Sequence, residues 1–233
     1  MRTLIALLFC VSPALADPIL RVPYSELEPR LVNRVDFETY PRHLSPGTML
    51  EGVQTFEGAS IAERFVGQVI TQHQGFDRLT PMAQGPLRLQ AGAPGQNLSV
   101  SFIFMLSNQL EGLAPPGYPA REASGEGAIS ILFDRDQFAL GFRVAAELPP
   151  REAGPARGMM TVTFYRRDGS MIDTMPVELE WGRAAYGFLR NGEERDIAGI
   201  AITNSDPAGI AIDDLIFDQD LVLGWLHRTQ SPG

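Results

Sequence analysis

The sequence predicts an all-β protein, an antiparallel β-sandwich of jelly-roll type, and three observations carry that expectation. Eighteen prolines and 23 glycines are spread over all 233 residues and do not gather in a linker, so the chain is cut into short runs of the length that strands need. Those runs alternate apolar and polar residues with a period of two, as Val162 and Phe164 alternate with Thr161 and Thr163. No helical run is long enough to cross over between parallel strands, and no internal repeat indicates a propeller or solenoid.

The chain divides into a signal over 1–16, an N-terminal extension over 17–34, one sandwich domain over 35–220 and a tail over 221–233. Arg2, the apolar run 4–11 and the small-x-small pattern Ala14-Leu15-Ala16 make up the secretory signal. Pro13 and Asp17 cut the apolar stretch far short of the ~20 residues of a membrane-spanning helix. The expected product is a secreted or periplasmic chain beginning at Asp17. The only cysteine, Cys10, lies inside the signal, so the exported chain has no disulfide and no thiol nucleophile. Its length suffices to bury a large core without staples.

Along the chain, 25–33 reads as a polar helix and 35–38 as the first strand. The run 60–70 fits both a helical stripe and a strand, and Gly58 and Gly67 around it favour strand. Further strands fall over 84–89 and 98–106. The clearest hairpin has arms 159–165 and 171–179 around Asp168-Gly169, a turn dipeptide that reaches positive φ at low cost. Two more pairs read the same way: 128–133 with 138–144 around 134–137, and 197–203 with 210–217 around 204–209. The Pro/Gly-rich stretch 111–126 reads as a long exposed excursion. The total is roughly nine to eleven strands, which two facing sheets would accommodate.

Charge and residue inventory exclude several classes of function. The chain has 28 acidic and 19 basic residues, a balance that repels nucleic acid and anionic membrane surfaces. All 19 basic residues are arginine, so Schiff-base chemistry and the lysine of a phosphate-binding loop are excluded. His43, His73 and His227 stand at no spacing that suggests a zinc site or a triad. Gly58-Ala59-Ser60-Ile61-Ala62 lacks the closing glycine of a nucleophile elbow, and Ser60 reads as structural. Asp134 and Asp136 read as solvated turn residues, and Asn97-Leu98-Ser99 as a chance glycosylation sequon. The run 221–226 is too short to span a bilayer.

Three stretches together resemble a known group. Val35-Asp36-Phe37-Glu38, the strand 161–169 ending in Asp-Gly, and Ile197-Ala198-Gly199-Ile200 leading to Ile212-Asp213-Asp214-Leu215-Ile216-Phe217 resemble bacterial exported β-sandwich proteins of the PEP-CTERM type. Their domain is similar to the jelly-roll carbohydrate-binding modules. No Pro-Glu-Pro motif, apolar helix or basic cluster follows Phe217, so surface anchoring does not come with the resemblance. The resemblance implies a structural calcium ion held by Glu38 and Asp213, with Asp36 and Asp214 as further participants. Strict alternation would send Asp214 to the face of Ile212 and Ile216, where a carboxylate asks for a cation or hydrogen-bond donors.

The expected function is a non-catalytic binding module for extracellular carbohydrate or another surface polymer. Tyr118, Trp181 and Tyr186 are the candidates for stacking on sugar rings, because Tyr118 lies in a Pro/Gly loop and the other two flank Gly182 and Gly187. Filling the core is the competing role for Trp181 and Tyr186. The alternatives are a structural or assembly protein of the envelope or matrix, with a surface protein as partner, and a secreted glycan hydrolase using paired carboxylates.

Overall fold

The structure, a computed structural model, describes residues 18–103, 107–146, 158–180 and 182–217. The signal, Trp181, His227 and the tail lie outside the described residues. The chain begins with β1 (Ile19–Val22), the one-turn helix α1 (Tyr24–Leu27), β2 (Asn33–Val35), β3 (Thr48–Leu50), β4 (Gln54–Phe56) and β5 (Ala59–Ala62). Four short strands follow: β6 (Arg64–Phe65), β7 (Ile70–His73), β8 (Phe76–Leu79) and β9 (Leu89–Gln90). Next come β10 (Leu98–Phe102), β11 (Asn108–Gly112), β12 (Ile129–Gln137) and β13 (Ala139–Ala146). The last five are β14 (Met159–Tyr165), β15 (Met171–Glu178), β16 (Arg183–Arg190), β17 (Ile197–Asn204) and β18 (Ile210–Phe217).

The described residues form an eight-stranded sheet, β1-β16-β13-β18-β11-β10-β3 with β2 joined to β18, and a six-stranded sheet, β15-β14-β17-β12-β5-β4. All strand pairs are antiparallel, and alternate residues of both sheets meet in one core. Val100, Leu110, Val144 and Ile212 enter it from the larger sheet, and Ile131, Val162 and Ile200 from the smaller. Aromatic pairs bridge the layers, Phe164 with Phe188 at 5.4 Å and Phe133 with Phe217 at 5.1 Å between ring centroids. The expected antiparallel sandwich is therefore what the chain forms.

The hairpin around Asp168-Gly169 forms as expected, with Met159 opposite Glu178 and Gly169 at φ 86°. The two other pairs do not form hairpins. The strands β12 and β17 belong to the smaller sheet, whereas β13 and β18 belong to the larger, so each connection passes from one layer to the other. Each arm has a single apolar face, and two arms bury those faces as well by facing each other across the sandwich as by pairing edge to edge.

The expected helix over 25–33 is cut to α1, which ends just before Pro29, a residue with no N–H to donate to a further helical hydrogen bond. The first strand ends at Val35, because Phe37 takes φ 58° and turns the chain. The stretch 111–126 is no free excursion. It begins within β11, the Ala123 carbonyl accepts from Ala114 N–H at 3.0 Å, and Leu113, Ala114 and Ala123 are fully buried. The stretch 17–34, expected as an extension, supplies β1 and most of β2 to the larger sheet, with α1 between them.

The outer faces of the two sheets are covered differently. Phe65, Leu87 and Leu89 seat the 63–90 segment on Tyr165, Ala198 and Ala201 of the smaller sheet. On the larger sheet, Tyr24 and Leu27 of α1 pack with Phe138, Ala139 and Ile216. This close approach needs the facing glycines Gly141 and Gly187, since a Cβ there would lie 2.9 Å from the Tyr24 ring and 3.0 Å from Leu27. Beyond α1, the strand ends carrying Ser101, Gln109, Ala211, Ala145 and Arg183 border an open groove.

Candidate functional site

The groove has a volume of about 900 Å³ and runs across the outer face of β10, β11, β18, β13 and β16. Strand alternation builds its floor. With Leu98, Val100 and Leu110 in the core, Ser99, Ser101, Gln109 and Glu111 must point the other way. Register then aligns a row, with Ser99 opposite Glu111, Glu111 opposite Ala211, Ala211 opposite Ala145 and Ala145 opposite Arg183. Small residues in mid-row leave space, and polar residues stand at its ends. Leu44, Phe102 and Ile103 supply an apolar side.

Hydrogen bonds fix the polar groups. The Glu111 carboxylate accepts from Ser101 Oγ at 2.8 Å and from Ser99 Oγ at 3.4 Å. Arg183 donates to Ser107 Oγ at 2.7 Å and is ion-paired with the Asp213 carboxylate, which also accepts from Ser107 Oγ at 2.6 Å. Burial pushes the Asp213 carboxyl above the usual carboxylate range, despite the lowering effect of Ser107 and Arg183. Arg121 and Ser124 enter from the short 3-10 turn that follows Tyr118.

The residues expected to touch sugar divide three ways. Tyr118 is 36% exposed, and its loop carries Arg121 and Ser124 to the groove wall, although Tyr118 itself does not line the groove. Tyr186 is a core residue, 2% exposed, whose hydroxyl accepts from Glu180 N–H at 3.0 Å, so its ring is not presented to a ligand. Alternation along β16 puts Tyr186 inward beside Phe188, a placement that its neighbouring glycine does not reveal. Trp181 lies outside the described residues, while the next two residues, Gly182 and Arg183, line the groove.

The four carboxylates expected at a metal lie along neighbouring segments. Glu38 accepts from Asn108 N–H at 2.9 Å, one residue beyond the Ser107 that holds Asp213. Arg42 also pairs with Glu38 at 3.0 Å, and Asp36 accepts from Glu38 N–H at 3.2 Å. Asp214 does not share a face with Ile212 as strict alternation requires. A register shift between Gly141 and Arg143 and a φ of 46° at Asp214 make a bulge that turns its carboxylate out to Arg34 at 2.9 Å and Arg143 at 2.8 Å. Among the described residues, no group of three or more His, Asp or Glu side chains is gathered so as to hold a metal ion. The buried amide oxygen Asn108 Oδ1 nevertheless has no hydrogen-bond partner, while Asn108 Nδ2 donates to the Phe37 and Tyr40 carbonyls at 3.1 and 2.8 Å.

Ser101, Gln109, Arg121, Ser124 and Arg183 were not singled out by sequence reasoning. One signal was present: Asn108 to Gly112 places the apolar Leu110 between two polar residues, the pattern of a strand with one wet face. Of the other candidates, Asp136 accepts both Nε and Nη2 of Arg167, at 3.0 and 2.7 Å. Ser60 contacts Thr55 within the β4–β5 pair.

No known protein family and no curated protein matches the chain. The solved structure of the enzymatically active domain of tailspike protein 4 of bacteriophage CBA120 is 14% identical, with a TM-score of 0.30 over 52% of this chain and 17% of that one. A likeness of that size carries no argument about fold or function.

Proposed function

We propose that this protein is an exported, non-catalytic module that binds an extracellular polysaccharide or surface polymer along the groove of the larger sheet. The observation that carries the reading is the groove itself, floored by closely packed small and polar residues across five strands and flanked by apolar Leu44, Phe102 and Ile103. An extended sugar chain needs hydroxyl-matching groups such as Ser101 and Gln109, and apolar surface for ring faces. The test is affinity electrophoresis of the exported chain on a panel of neutral and acidic polysaccharides, with product release assayed in parallel. Retardation that weakens about fivefold or more in Gln109→Ala, without product release, is the expected result. Turnover would favour the hydrolase, and self-association without glycan retention would favour the assembly protein.

A calcium ion near Glu38 and Asp213 is a second reading, favoured by the orphaned oxygen of the fully buried Asn108. Calcium takes about 6 to 8 oxygen ligands and accepts amide and backbone carbonyls beside carboxylates. Binding there would have to compete with Arg183 for Asp213 and with Arg42 for Glu38. Saturating calcium is expected to stabilise the fold by roughly 3 to 4 kcal/mol at 100 to 1,000 times its dissociation constant. Asp213→Asn and Glu38→Gln should each abolish the shift in thermal melts. Superimposable melts with calcium and with chelator, and no metal by elemental analysis, would remove this reading.

A further inference from the structure

The two arginines of the groove are differently placed. Arg183 is committed to Asp213 and Ser107 on the floor. Arg121 stands exposed on the wall with its guanidinium in no hydrogen bond or ion pair to the described residues. Three residues on, Ser124 lines the same wall, and its Oγ is buried without a partner. A hydroxyl in that state is costly unless something completes it.

The wall that carries both groups is firmly set. Ser124 N–H donates to the Arg121 carbonyl at 3.1 Å, Leu113 forms a bridge to Ser124, and Ile210 N–H donates to the Gly125 carbonyl at 2.9 Å. Gly125 and Gly209 meet backbone to backbone at φ 87° and 72°, where a Cβ on Gly209 would lie 2.8 Å from Gly125 and the Ser124 carbonyl. Among the charged groups of the described lining, Arg183 is balanced by Asp213, which leaves the Arg121 guanidinium and the Glu111 carboxylate. The Glu111 oxygens are turned to Ser99 and Ser101.

We infer that Arg121 and Ser124 form a subsite for the carboxylate of an acidic sugar, so that the groove selects uronate-containing polysaccharide over neutral glycan. This inference rests on the groove being the polymer site. A guanidinium fork matches the two oxygens of a carboxylate, and the neighbouring hydroxyl adds one donor. A sulfate ester carries its three terminal oxygens in a tetrahedral array, of which the planar guanidinium fork can face only two, whereas a carboxylate is planar like the fork.

The test compares the wild type with Arg121→Ala, Ser124→Ala and the control Arg88→Ala, an exposed arginine outside the groove lining. All four are titrated with polygalacturonate, a neutral glucan and dextran sulfate, after matched thermal melts establish that each variant folds. Polygalacturonate is expected to bind most tightly and to weaken with added salt. Arg121→Ala should weaken it about five- to tenfold and Ser124→Ala a few-fold, with Arg88→Ala unchanged. Equal affinity for the neutral glucan or for dextran sulfate, or no loss in Arg121→Ala, would overturn the acidic subsite while leaving the groove reading intact. Absence of binding to all three polymers would overturn both.

Discussion

Glu63 is 4% exposed, with the Arg64 guanidinium against its carboxylate and the buried Asp77 carboxylate acting on it. Burial pushes its carboxyl up to about 7; Arg64 opposes that rise and Asp77 adds to it. The unfolded chain releases this proton near the ordinary value of 4.5, so the folded state holds it more tightly. The resulting stabilisation is whole below that ordinary value and is lost as pH rises through about 7. Glu63→Gln should flatten this dependence, matching the wild type near pH ~4 and exceeding it at pH ~8 by roughly 1 to 3 kcal/mol, each tenfold change in proton affinity being worth about 1.4. Urea unfolding at several pH values reads this directly, and a variant as pH-dependent as the wild type would refute it. Asn97 makes the opposite use of burial. Its Oδ1 accepts from Glu63 and Gly92 N–H groups, and its Nδ2 donates to the Leu50 and Gly52 carbonyls, both at 2.8 Å. An amide so engaged and 1% exposed is closed to glycosylation. Asn97→Ala leaves four backbone groups unmatched and should cost about 2 to 4 kcal/mol in denaturant titrations.

Among the elements, α1 depends least on its own sequence. A four-residue helix is not stable alone, so its position comes from Tyr24 and Leu27 resting on the larger sheet. Tyr24 also donates its hydroxyl to the Asp214 carbonyl at 3.0 Å, across the bulge. At Gly187 a Cβ would lie 2.7 Å from the Val22 carbonyl and 3.0 Å from the Leu27 side chain. Gly187→Val should therefore unseat α1 and lower stability by about 1 to 3 kcal/mol, the usual cost of overpacking. Hydrogen exchange should show loss of protection over β1 and α1 with β14 and β15 unchanged. Protection retained at β1 and α1 would show that the helix is held by other contacts.

At the scale of the whole molecule, the two sheets share one core. Phe188 touches both layers, its ring centroid 5.6 Å from that of Phe142 of its own sheet and 5.4 Å from that of Phe164 of the other, tilted against each. Phe188→Ala should cost about 3 to 5 kcal/mol, because the rings around it cannot close the space. Loss should appear in one transition, with tyrosine fluorescence and far-ultraviolet dichroism coincident in urea. A first transition confined to one layer would mean that the sheets unfold separately.

Strand alternation, turn dipeptides and the spread of proline and glycine determined by themselves that the chain is an all-β sandwich. They also located the β14–β15 hairpin, because alternation and Asp-Gly geometry are local. The layer that each remaining strand joins was decided only in tertiary structure: β12 and β13, like β17 and β18, present the same alternation whether they pair or face each other. The exposure of Tyr118 was legible from its Pro/Gly loop, whereas the burial of Tyr186 followed from the inward phase of a strand whose Arg183 and Gly187 gave no apolar signal. The groove was legible least of all. Ser101, Gln109, Arg121, Ser124 and Arg183 are ordinary polar residues in sequence, and they become a surface only when register sets five strands side by side and a turned loop brings Arg121 to the wall. Long-range pairing, which depends on how all the apolar faces are buried at once, does that work.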